Sequence, residues 1–110
     1  MVTLTISTHV QADKRDELWS TLQLVTDRTE GEVGCLDSRL AWDANDQNMI
    51  RMDQTWSDYA RLHAYFRSDL FSALLGAVKL LGVSHAIRID DGSEAEGREA
   101  VQRARSMDRL

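Results

Sequence analysis

Apolar residues return along this chain in two rhythms, and the order of those rhythms restricts the fold more than any other feature. Val2, Leu4, Ile6 and Val10 alternate with Thr3, Thr5, Ser7 and His9, the period of two that a half-buried strand needs. Thr8 interrupts the apolar row only mildly. Leu18, Leu22 and Val25 then recur at helical spacing, behind Asp13 as a candidate N-cap and with Asp16 and Glu17 placed to favour a helix start. This helix is expected to stop before Gly31, with Gly34 completing a loop. Period two resumes over Cys35–Asp43 and Asn48–Trp56, two strands joined by the turn-rich stretch Asp43-Ala44-Asn45-Asp46-Gln47. In the second of them Ile50, Met52, Gln54 and Trp56 share one face. Ser57 is expected to cap a second helical region, where Tyr59, Leu62, Phe66, Leu70, Leu74, Val78 and Leu81 make one stripe. Ser68-Asp69 inside it reads as a fresh N-cap and predicts a break, and Gly82 suits the helix end. A last strand is expected from about Val83 to Asp90.

The order is therefore βαββαβ. With both helices on one side of an antiparallel four-stranded sheet, this gives a ferredoxin-like α+β sandwich. The uncovered side of the sheet would carry Thr3, Thr5, Ser7, His9, Asp37, Arg39, Arg51, Asp53 and Arg88. A face with both signs of charge can be self-complementary about a two-fold axis, so a homodimer through this open face is expected, with Asp37 and Asp53 paired to arginines. The compact domain is expected to span 1–91. The stretch 92–110 has four acids, four bases and only a thin stripe of Ala100, Ala104 and Met107, which reads as a disordered tail or a helix docked on a partner.

Composition narrows the function classes. A chain of 110 residues is one domain, large enough to hold a core without disulfides or a structural metal. The net charge is −5 with no basic cluster, which argues against nucleic acid. No apolar run nears the ~20 residues of a membrane span, and the first residues lack a signal-peptide pattern. With a single cysteine, these features fit a cytoplasmic protein. Phosphate-binding glycine loops, serine-hydrolase elbows and paired zinc cysteines are absent. His9 and His85 fall on opposite rows of neighbouring strands with no third ligand, so no metal site is expected. Cys35 follows a glycine with no adjoining cation in sequence, and reads as a buried structural thiol.

The βαββαβ order, Gly34-Cys35 before the second strand and Trp56-Ser57 before the second helix resemble the antibiotic-biosynthesis monooxygenase-like family of the dimeric α+β barrel superfamily. The resemblance covers residues 1–91 and includes Trp56, Ser68 and Phe71 at the family's spacings, with Tyr65 where a histidine is usual. His63 lies two residues earlier, about 200° around the helix. Met52 stands where quinol-oxygenating members carry asparagine, and Leu75 where the haem-degrading branch has its axial histidine, which argues against haem degradation. The resemblance implies a homodimer with a small pocket per subunit between sheet and helices. Its walls would be Ile50, Met52, Trp56, Tyr65, Phe71 and Leu74, suited to a small apolar or aromatic ligand. It further implies monooxygenation of a phenol or quinol without metal or flavin. Tyr65 would then orient the substrate and His63 would serve as base. A non-catalytic ligand-binding dimer, or an isomerase or cyclase-like enzyme of the same superfamily, are the alternatives.

Overall fold

A computed structural model describes residues 1–91; the expected tail at 92–110 lies outside the described residues. Four strands, β1 (Val2–Val10), β2 (Cys35–Trp42), β3 (Met49–Trp56) and β4 (Gly82–Asp90), form one antiparallel sheet in the order β2-β3-β1-β4. The helices are α1 (Arg15–Thr29), α2 (Tyr59–Phe66) and α3 (Asp69–Leu81). This is the ferredoxin-like arrangement, with the first and last strands as neighbours. No helix among the described residues is long and apolar enough to cross a membrane.

Alternation decides the faces. The register sets Leu4 beside Gln54 and Ile89, and Ile6 beside Met52 and Ile87. Together with Val2, Val10, Ile50 and Trp56, this row meets Leu18, Leu22 and Val25 of α1 and Leu62, Phe71, Leu74 and Val78 of α2 and α3 in one buried core. Burying sixteen apolar side chains to 6% exposure or less is the dominant stabilising force, at about 1.5–3 kcal/mol for each large aliphatic side chain. Thr8 lies in the same inner row, 1% exposed.

The helix starts differ from those expected. Asp13 caps nothing: it lies inside a short 3₁₀ turn, Ala12–Lys14, that precedes α1. Asp58, rather than Ser57, caps α2, its carboxylate accepting from the Arg61 backbone N–H at 2.8 Å. The break at Ser68-Asp69 is present. Ser68 Oγ accepts from the Phe71 N–H at 3.1 Å and donates to the Tyr65 carbonyl at 2.6 Å, closing α2 and opening α3 with one hydroxyl. The break resets the helical phase. Tyr65 and Phe71 turn inward and are buried, while Phe66 and Leu70 of the expected stripe stay half-buried.

The outer face of the sheet carries the row expected of it. Thr3, Thr5, Ser7, Arg51, Asp53, Ala86, Arg88 and Asp90 line a shallow groove of about 470 Å³. Its charges are paired within single strands: Arg39 to Asp37 at 2.7 Å, Arg51 to Asp53 at 3.0 Å and Arg88 to Asp90 at 3.8 Å. The arginines for Asp37 and Asp53 are thus already present in the same chain. Thr5 adds a hydroxyl to Asp53 at 2.8 Å.

Candidate functional site

β3 delivers Trp56 and α2 delivers Tyr65, and the two rings stack 4.6 Å apart at 30°. Trp56 is 0% and Tyr65 3% exposed. Phe71 meets Tyr65 edge-on at 5.2 Å. Above this aromatic floor lies a crevice of about 120 Å³, lined by Glu32, Val33, Trp56, Arg61, Ala64, Tyr65 and Ser68. Next to Val33 of that lining is Gly34, the one described residue with a left-handed backbone, at φ 91°. A Cβ at Gly34 would fall 2.5 Å from Cβ and Cγ of Arg61, so glycine lets the loop lie against the Arg61 stem. The Gly34 carbonyl also accepts from the Ser57 N–H at 2.8 Å, tying the loop to the end of β3.

The sequence-derived candidates separate in space. Trp56 and Tyr65 line the crevice. Ile50, Met52, Phe71 and Leu74 belong to the closed core beneath it, each 6% exposed or less. His63 is half-buried on another side of α2, with ring centroids 6.1 Å from Tyr59 and 6.2 Å from Phe66, and it is not a lining residue of the crevice. His9 and His85 are on opposite faces of neighbouring strands, as alternation requires, and His9 Nε2 lies 2.9 Å from Asp46 Oδ2. Cys35 is half-buried rather than fully buried, and its thiol donates to the Asp37 carbonyl at 3.4 Å. Burial pushes its pKa up, which disfavours the thiolate a nucleophile needs.

Sequence reasoning missed the partner of Tyr65. Gln54, fully buried in the apolar row of β3, donates from Nε2 to the Tyr65 hydroxyl at 3.1 Å and to Met52 Sδ at 3.2 Å. Desolvation pushes the Tyr65 pKa up, opposed by hydrogen bonds with Thr29 and Gln54. At neutral pH Tyr65 is therefore a neutral O–H group, able to orient an oxygen but not to take a proton. Two buried polar atoms beside it have no hydrogen-bond partner, Gln54 Oε1 and Trp56 Nε1. A glutamine within an otherwise apolar strand row was the available signal, since a buried amide requires partners.

The family model for antibiotic biosynthesis monooxygenase matches residues 1–76. The chain belongs to the antibiotic biosynthesis monooxygenase family. Solved structures agree with the membership at the level of fold. One, described as an antibiotic biosynthesis monooxygenase, is 17% identical, with a TM-score of 0.76, covering 84% of this chain and 99% of its own. A Deinococcus radiodurans protein, provisionally assigned to the same activity, is 19% identical with a TM-score of 0.79, covering 86% and 94%. A conserved protein from Methanosarcina mazei Go1 is 20% identical with a TM-score of 0.76, covering 81% and 89%. No curated protein is significantly similar in sequence. Of the expected site residues, Trp56 and Tyr65 line this crevice.

Proposed function

We propose that this chain is a cytoplasmic, homodimeric, cofactor-independent monooxygenase acting on a small aromatic or quinol-like substrate at the Trp56–Tyr65 crevice. The observation that carries the reading is the crevice floor. A buried indole and a neutral phenol, stacked 4.6 Å apart, offer a flat apolar surface with one polar handle. In family chemistry of this kind the substrate supplies the electrons. A hydroquinone and dioxygen become a hydroxyquinone and water: one oxygen atom enters the ring, and the other leaves with two hydrogens. The protein has to hold the ring, accept a proton and exclude water from the reactive intermediate. Tyr65 holds the substrate oxygen. Glu32, the carboxylate lining the crevice, takes the proton. His63 was the base expected from sequence; it stands on another side of α2 and would need that short helix to turn.

Oxygen consumption with a panel of one- and two-ring hydroquinones tests the reading, with Tyr65→Phe and His63→Ala alongside wild type. The expected result is enzyme-dependent uptake that falls at least about tenfold in Tyr65→Phe and is unchanged in His63→Ala, the size expected from losing one hydrogen bond to the reacting oxygen. Wild-type protein that binds such ligands and consumes no oxygen is the result that would establish the binding module instead. The dimer rests on the mixed-sign outer face, and sedimentation at micromolar concentration should give twice the chain mass; a monomer would remove it.

A further inference from the structure

We propose that the chain's own segment 92–110, which lies outside the described residues, docks as a helix on the aromatic flank of α2, with Ala100, Ala104 and Met107 against Tyr59, His63 and Phe66. α2 presents three sides. Leu62 and Tyr65 enter the core, and Arg61, Ala64 and Tyr65 line the crevice. Tyr59, His63 and Phe66 make the third side, at positions i, i+4 and i+7, so their rings form one row. Neighbouring ring centroids in the row lie 6.1 and 6.2 Å apart, and all three residues are half-buried. At eight residues, α2 is shorter than the ~12–15 that sustain a helix alone in water, so it depends on what packs against it.

Two observations name the occupant. The first is where the described chain ends. The Tyr59 hydroxyl donates to Asp91 Oδ2 at 3.4 Å, so the segment starts beside the row. Tethering makes docking intramolecular, with an effective concentration in the mM range, which lets a small contact hold. The same stripe from a second copy lacks this tether. The second observation is matching pitch. Ala100, Ala104 and Met107 stand at i, i+4 and i+7, the spacing of the row itself. On a helix each triplet covers seven rises, about 10.5 Å. Two alanines leave a groove into which aromatic side chains fit, the complement that close helix packing needs. Arg98, Gln102, Arg105 and Arg109 fall on the opposite side of such a helix, toward water. The link 92–99, with Gly92 and Gly97, extends to about 26 Å, enough to bring the stripe over the row.

Disulfide trapping and amide exchange on the full chain test the proposal. In a Cys35→Ser background, Ala104→Cys is combined with His63→Cys, on the row, or with Ala64→Cys, on the crevice side. Under mild oxidation the first pair should close within one chain at least about tenfold faster than the second, because a disulfide forms only where the Cβ atoms meet. Equal rates, no crosslink, or a crosslink between two chains, seen as a species of twice the mass on a denaturing gel, would overturn the proposal. In the second arm Ala104→Glu puts a carboxylate into the contact, whereas Gln102→Glu adds the same charge on the opposite side. Exchange at the Leu62 to Arg67 amides should speed up at least about tenfold in Ala104→Glu and keep the wild-type rate in Gln102→Glu. No change in either variant, or equal acceleration in both, would overturn the proposal. The exchange arm needs no new cysteine, so it decides if the cysteine variants do not fold.

Discussion

Gln54 and Tyr65, eleven residues apart and on different elements, meet inside the core through a hydrogen bond of 3.1 Å. It joins the middle of the sheet to the short helix that covers it, and it is made where water does not reach. Removing one partner already breaks the bond, so the losses from removing each should not add. Gln54→Leu is expected to destabilise by about 1–3 kcal/mol, leaving the phenol with Thr29 as its remaining partner, and Tyr65→Phe by about 1–2 kcal/mol. The double variant Gln54→Leu/Tyr65→Phe should fall short of the summed single-variant losses by at least about 0.5 kcal/mol in urea unfolding. Strict additivity would show that the bond carries no coupling.

The raised Tyr65 pKa has a pH consequence. A group whose folded-state pKa lies above its unfolded value contributes stability that is fully present below the unfolded pKa, about 10 for tyrosine, and is lost as pH rises through the folded pKa. The melting temperature should be insensitive to this group from pH 7 to 9 and should drop above about 10. Subtracting the Tyr65→Phe curve from the wild-type curve isolates the effect; a flat difference across the alkaline range would contradict it.

Ser68 serves two helices with one hydroxyl. Ser68→Ala removes the cap of α3 and the bond to the last turn of α2, and should cost about 1–2 kcal/mol. Ser68→Asp restores an N-cap acceptor but not the donor to the Tyr65 carbonyl, and should recover only part of that loss. Thermal unfolding of the three proteins checks the ranking.

Gly34 should tolerate no side chain. Its φ of 91° and the 2.5 Å approach of a would-be Cβ to the Arg61 stem both oppose substitution. Gly34→Ala is expected to destabilise by about 1–3 kcal/mol, the range for a residue held in left-handed backbone. It should also loosen the loop beside the crevice, read as faster amide exchange at Ser57, whose N–H bonds the Gly34 carbonyl. Wild-type stability and exchange in the variant would refute the account.

The sheet was legible residue by residue, because a strand with one face on a core writes its orientation in alternate positions. Val2 to Val10 and Ile50 to Trp56 alternate in sequence as they do in burial. The helical stripe was less faithful. Phe66 and Leu70 continue the spacing on paper, yet a new helix beginning at Asp69 rotates the pattern, so Tyr65 and Phe71 occupy the interior. Local competition also decided the caps: Asp58 has its carboxylate within reach of the Arg61 N–H, which displaced Ser57 from that role. The site was half legible. Trp56 and Tyr65 stood out by residue type, whereas Gln54 acquires its meaning only when α2 folds back over β3 and sets a phenol against its amide.

On the uncovered side of the sheet, each arginine of three strands leans on an aspartate two positions along its own backbone. Charges of both signs thus crowd a surface that, a few ångströms away, projects little net potential. Whatever settles there is drawn by shape and short-range fit rather than guided in from a distance, and raising the ionic strength should scarcely alter how fast it arrives.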